Sequence, residues 1–242
     1  MTTDFPGTAR DERIVRQKLS DEVFERLRRM ILDGELAAGD AVPSERELMS
    51  RFGVGRPAVR EALQTMGTMG LITISQGERS RVNDLSPGTA FRQLDTIARF
   101  LLSADPGTLA HLKETRKLFE IGIVKIAAVA RTDEDIEDLA RLNEKQRDRL
   151  GDAGAFIRCD IAFHGRIAQI SGNPIISAVS EAMLNWLFSY HTSLLHWSGK
   201  EDVTLGEHER IVEAIASGRP DACAEIMAIH LDRSADNYRH HA

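Results

Sequence analysis

Several of the features that mark secreted, membrane and sheet-built proteins are scarce in this chain. Only two cysteines occur among 242 residues, Cys159 and Cys223, and they form no CxxC pair. A disulfide framework is not expected, and a reducing compartment is the default. Aromatic residues make up 5% of the chain. The apolar mass is mostly Ala, Leu and Ile, which favours helix over sheet. The longest apolar run, "IGIVKIAAVA" (121–130), is too short to span a bilayer and contains Lys125. The N-terminal "MTTDFPGTARDERIVRQ" has no apolar signal core. A soluble, cytoplasmic protein with no membrane partner is expected. Positive charge is also short. The 31 Lys and Arg against 37 Asp and Glu leave a net charge of −6. A general basic coat for nucleic acid is thereby excluded, and any DNA contact must be local.

Apolar content is 42%, enough to bury the core of one large domain or two modest ones. Residues 1–18 are polar and mixed in charge, and read as a flexible arm. A helix is expected over 20–33, with Ser20 as N-cap and Gly34 as its stop. "PSERE" opens a second helix, in which Ser44 and Glu47 have capping-box spacing. "FGVGRP" is a tight turn, and Pro57 sits where a third helix should begin and run to Met69. "LITI" and "RSRVND" are β-like runs around "SQGE", a hairpin. "NDLSPG" (83–88) is a linker. Beyond it the chain reads as helix throughout, with further helices near 133–150, 153–171, 174–198, 205–217 and 220–238. The fold class is mainly α: an N-terminal winged helix-turn-helix with a small β-wing, then an all-α helical bundle. The expected domains are the arm 1–18, a DNA-binding domain 19–84, and an effector-binding and dimerisation domain 85–242.

The stretch "PSERELMSRFGVGRPAVREAL" (43–63) carries arginines at 46, 51, 56 and 60. In the third helix Arg56, Arg60 and Gln64 lie four apart and share a face. Val59, Leu63 and Met66 fall on the other side and can pack. A recognition helix needs such an apolar back, with guanidiniums and an amide free for the major groove. Arginine's planar fork suits the O6/N7 edge of guanine or a phosphate. From spacing alone, a solvated helix that happens to carry arginines is an equal reading.

"PSERELMSRFGVGRPAVREALQTMGTMGLITISQG" resembles the DNA-binding domain of the GntR family of bacterial repressors, over about residues 20–83. The resemblance implies operator contacts from Arg46, Arg56 and Arg60. It also implies a wing tip of Gln76 and Gly77 entering the minor groove, flanked by Arg79 and Arg81. Three positions depart from the family pattern. Val42 replaces the usual leucine before Pro43. Gly55 stands where a hydroxyl-bearing cap is common, at little cost to helix stability. Glu78 puts a negative charge on the wing.

In the C-terminal half, Asp160 and His164 lie four apart on one helix face, and His208 and His230 sit at the edges of apolar stripes. Taken singly, each histidine reads first as a half-buried surface residue. Together, three histidines and a carboxylate in a helical bundle make a site for a borderline divalent ion. Zinc is the first expectation, with nickel and manganese as alternatives. "DIAFH", "SGNP", "HERIVEAI" and "HL" resemble the C-terminal domain of the FadR subfamily of GntR regulators. The metal-binding members use one Asp and three His, which match Asp160, His164, His208 and His230. Members responsive to acyl-CoA lack this set, so no acyl-CoA ligand is expected.

The same resemblance implies a small organic acid beside the ion, clamped by an arginine that matches Arg116 in "ETRKLFE". From the residues alone, Arg116 reads equally as an exposed ion pair with Glu120. Asn173 of "SGNP" either caps the next helix or faces the ligand, the cap being favoured. "LNWLFSYHTS" is expected to line the pocket floor, which adds Asn185. "GERSRV" and "FIRCDIAFH" resemble the sialic-acid-responsive members of the subfamily. Effector preference changes readily within one fold, so a sugar acid, an aromatic acid or another carboxylate metabolite stays open. The resulting expectation is a homodimeric, metal-containing repressor on a palindromic operator in double-stranded DNA, released by the acid. No catalytic residue is assigned. The alternatives are an activator strengthened by its ligand, a metal with a structural role only, and a metalloenzyme using the same aspartate and three histidines.

Overall fold

The computed structural model describes residues 18–75, 79–191 and 201–236. The expected arm therefore lies, but for residue 18, outside the described residues. The chain divides into two compact units, Met1–Leu85 and Ser86–Ala242.

The first unit holds α1 (Leu19–Leu32), α2 (Glu45–Phe52) and α3 (Arg56–Thr68), then β1 (Ile72–Thr73) and β2 (Arg81–Val82). Its core is apolar. Val23, Leu27 and Met30 of α1 meet Leu48 of α2 and Val59, Ala62 and Met66 of α3, with Ile72 and Val82 from the strands. Val42 is buried among them, so the smaller side chain still serves the core. Ser20 does not cap α1. It shares the buried face of Val23, Leu27 and Met30, at a spacing of three, seven and ten residues, and the helix starts from Lys18 instead. The box at α2 forms as its spacing predicts. Ser44 Oγ accepts from the Glu47 amide, and a Glu47 carboxylate oxygen accepts from the Ser44 amide at 2.7 Å. Gly53 closes α2 in the left-handed region (φ 66°), where a side chain would be strained. Gly55 caps α3 without a side-chain bond, and Pro57 lies in its first turn.

β1 and β2 are antiparallel, with Ile72 opposite Val82 and Thr73 opposite Arg81. The second edge of β2 is also paired. Gly39 N donates to Val82 O, Val82 N to Asp40 O, and Val42 N to Ser80 O, at 2.8–2.9 Å. The segment before α2 thus acts as a short third strand. Sequence reading misses it, because Gly39 and Asp40 look like a turn.

The second unit comprises α4 (Pro87–Ala104), α5 (Pro106–Ala130), α6 (Asp133–Arg147), α7 (Ala153–Ile170), α8 (Pro174–His191), α9 (Glu201–Ala216) and α10 (Pro220–Asp236). The expected linker runs only to Ser86, which caps α4 by accepting from the Thr89 amide. α9 begins at Glu201, four residues before the expected start, and 192–200 lie outside the described residues. α5 is the central element and packs on α7, α8, α9 and α10, while α6 packs on α7 and α9. The core draws Val124, Ala127 and Ala128 from α5, Leu139 from α6 and Phe163 and Ile167 from α7. Ile211 and Ile215 of α9 and Met227 of α10 complete it. Among the described residues no helix is long and apolar enough to cross a membrane.

Candidate nucleic-acid interface and candidate metal centre

α3 turns Val59, Ala62 and Met66 inward and leaves Arg56, Arg60 and Gln64 exposed on the other side. Arg46, at the start of α2, is exposed as well, and so are Arg79 and Arg81 at the wing. Gln76 and Gly77 lie outside the described residues. The arginines are not bare. Glu45 at the start of α2 takes Arg60 Nε at 2.9 Å and lies 3.6 Å from Arg56 Nε. Arg79 is 3.8 Å from Glu47, and Arg81 donates to the Gly39 carbonyl at 2.9 Å. Exposed pairs of this kind are worth about 0–1 kcal/mol, so DNA phosphates can displace them.

The second unit carries its polar residues inside. Asp160 and His164 come from α7, His208 from α9 and His230 from α10. One ligand atom from each falls within 4.8 Å of all the others. The three imidazoles are fully buried, whereas the Asp160 side chain keeps 22% exposure, so the cluster is open on the side of Asp160. Phe163 stacks on His208 with ring centroids 4.0 Å apart, and His164 stacks on His230 at 5.2 Å.

Each imidazole has its outer nitrogen committed. His230 Nδ1 meets Glu207 Oε2 at 2.8 Å, and Glu207 is held by Arg233, which also reaches Thr204. His164 Nδ1 lies 2.5 Å from Glu120 Oε2, a close contact that is not aligned as a hydrogen bond. His208 Nδ1 meets Gln146 Oε1 at 2.9 Å. Gln146 has one workable orientation. Its Nε2 faces two acceptors, Asp160 Oδ1 at 3.3 Å and the Phe156 carbonyl at 3.4 Å, so Oε1 must accept from His208. His208 and His230 are therefore protonated at Nδ1 and present Nε2 lone pairs, and His164 turns its Nε2 toward them.

His208 Nε2 is buried with no hydrogen-bond partner among the described residues, and Asp160 Oδ1 lies 3.4 Å from it. His164 Nε2 and His230 Nε2 are 3.2 Å apart. Glu120 is balanced by Arg116 and Glu207 by Arg233, which leaves the Asp160 carboxylate facing imidazole lone pairs. Burial holds the His208 pKa well below its ordinary 6.5, and burial lowers His230 too, so both stay neutral as metal ligands must. Burial pushes the Asp160 carboxyl up, but the electrostatic pull of the imidazoles and Arg116 around it outweighs this, and its pKa ends below the usual range. A carboxylate and three converging imidazoles, each with an acceptor behind its ring, fit a divalent ion.

Two comparisons decide the family. Residues 19–82 match the model described as "Bacterial regulatory proteins, gntR family", and residues 111–233 match the FCD domain. The chain belongs to the gntR family. GntR relatives in Cronobacter sakazakii and Escherichia coli K12, both described as "HTH-type transcriptional repressor NanR", are 40% identical to it. The first aligns over 90% of this chain and 85% of the relative, the second over 92% and 85%. A solved structure, Streptococcus agalactiae GntR, superposes with a TM-score of 0.72. It is 24% identical, with 90% of this chain and 99% of that one covered, and shows a shared fold. This GntR chain is a DNA-binding transcriptional repressor and not an enzyme. The metalloenzyme alternative is accordingly set aside.

The remaining residues divide. Arg116 is no exposed ion pair. Its side chain is 16% exposed and bonds the buried Glu120, which touches His164. Asn173 is spent on the cap of α8, where Oδ1 accepts from the amides of Ile175 and Ile176 at 3.0 and 3.4 Å. It stands exposed, and these bonds give it the cap role that was favoured over the ligand. Asn185 is half-buried in α8, and none of the described contacts joins it to the cluster. Sequence reading missed Glu120, Gln146 and Glu207 as supports. Glu207, the neighbour of His208, and Glu120, one turn from Arg116, gave the local signals.

Proposed function

We propose that this repressor holds one divalent ion on Asp160, His164, His208 and His230, zinc first, and that a small organic acid bound beside it lowers operator affinity. The observation that carries this reading is the convergence of three buried Nε2 atoms on one carboxylate, each ring with an acceptor behind it. A bound ion would supply positive charge to hold the carboxylate of an acid. Arg116 would clamp the same group from the α5 side, and the exposed edge at Asp160 would admit it. A sialic acid is the first candidate, on the resemblance in "GERSRV" and "FIRCDIAFH". Arg46, Arg56, Arg60 and Gln64 would read the operator, with Arg79 and Arg81 on flanking phosphates. A two-fold dimer would match a palindrome. In support, α4 exposes Leu94, Ile97, Phe100 and Leu101 along one side, beside the face that packs on α8. A cytoplasmic location goes with this role.

The test is selection of duplexes from a randomised pool by metal-loaded protein, followed by operator affinity across a panel of acids. One enriched palindrome, weakened by one class of acid, supports the reading. A palindrome whose affinity no acid changes, and which chelation leaves unaltered, would reduce the cluster to a structural role. Tighter binding with acid would make the acid a co-repressor.

A further inference from the structure

One buried carboxylate touches both partners of the proposed site. Glu120, on α5, is 5% exposed at its side chain. Its Oε1 accepts from Arg116 Nε, one turn earlier on the same helix, and its Oε2 lies 2.5 Å from His164 Nδ1 on α7. The Arg116 guanidinium is the counter-charge to this buried carboxylate. The guanidinium and the His164 ring thus share one anion. Whatever draws Arg116 away from Glu120 leaves more negative charge on the oxygen behind His164. That makes Nε2 a more basic ligand.

We infer that Glu120 is a positioning residue that couples the engagement of Arg116 to the metal affinity of the cluster through His164. This rests on the metal-site reading above. Coupling of binding free energies is reciprocal. An anion that engages Arg116 tightens the ion, and the ion tightens the anion.

The coupling is testable with Zn2+ alone, by chelator competition on the full chain, in a cycle of Glu120→Gln, Arg116→Gln and the double variant. Glu120→Gln weakens Zn2+ by about 10–100-fold, since His164 loses its anionic acceptor. Arg116→Gln tightens Zn2+ by about fivefold or more. In the Glu120→Gln background that gain disappears. A gain of the same size in both backgrounds would mean that Arg116 acts on the ion directly through space, and would overturn the relay. Weaker or unchanged binding in Arg116→Gln would overturn it as well. Circular dichroism and the melting temperature of the metal-free protein show whether each variant folds. Should Arg116→Gln not fold, Arg116→Lys takes its place. It keeps the charge but lacks the fork, and is expected to give a smaller gain that again needs Glu120. Failure of the metal site itself has a different signature: wild type would bind no Zn2+, or His208→Ala would bind it as tightly, and the coupling would fall with it.

Discussion

The two units put their working residues in opposite places. In the winged unit the core is apolar and the arginines proposed to meet DNA stand in solvent, loosely tied to Glu45 and Glu47. In the helical unit the polar residues are part of the interior, stacked on Phe163 and braced by three buried acceptors. A surface can lose a side chain with little harm to the fold. A buried cluster cannot, because each group removed leaves another unpaired. The winged unit should therefore lose function without losing stability, and the helical unit should lose both together.

The largest break in that contrast comes from Phe163→Ala. Phe163 is fully buried and lies flat on His208. Its loss should cost about 3–5 kcal/mol of stability, measured by denaturant unfolding, and metal affinity should fall with it. Metal comes next. At a free concentration of 100 times its Kd, the ion should stabilise by about 2.7 kcal/mol, seen as a rise of about 5–10 °C in melting temperature that a chelator abolishes. Arg60→Ala should weaken operator binding by about 1–3 kcal/mol, with the melting temperature unchanged. The smallest effect is at Ser44→Ala. The box at α2 should cost about 1 kcal/mol on its removal, confined to the winged unit.

Acid sharpens the comparison further. In metal-stripped protein the folded-state pKa values of His208 and His230 lie below 6.5, so below that pH the unfolded chain binds more protons and stability falls. Glu120 and Glu207 are depressed from 4.5, Glu207 to about 2, and their contribution is lost as pH drops through that window. Both effects have one sign. In the winged unit the resolved shifts fall on exposed groups, Glu25, Arg28 and Glu47. Thermal melts from pH 7 to pH 3 should show the helical unit failing first.

How far the sequence could be read follows the same division. The winged unit was legible because its signals are local: Ser44 to Glu47 is three residues, and Arg56, Arg60 and Gln64 repeat every four. The pair Asp160 and His164 was legible for the same reason. Glu120 was seen only as a neighbour of Arg116, because nothing near it in the chain announces His164, 44 residues on. Gln146 stands 62 residues from His208, and Glu207 is 26 from Arg233. Those meetings depend on how α5, α6, α7, α9 and α10 pack, which the period of any one helix does not encode. Ser20 failed in the opposite way. A residue type that favours caps was overruled by its place on the buried face of α1.

The central claim is that the interior of the helical unit is a metal site. Equilibrium dialysis against Zn2+, followed by elemental analysis of wild type, Asp160→Asn and His208→Ala, tests it most directly. One ion per wild-type chain, and none retained by the two variants under the same conditions, is the predicted result. No bound ion in folded wild type, or equal stoichiometry in all three, would contradict it.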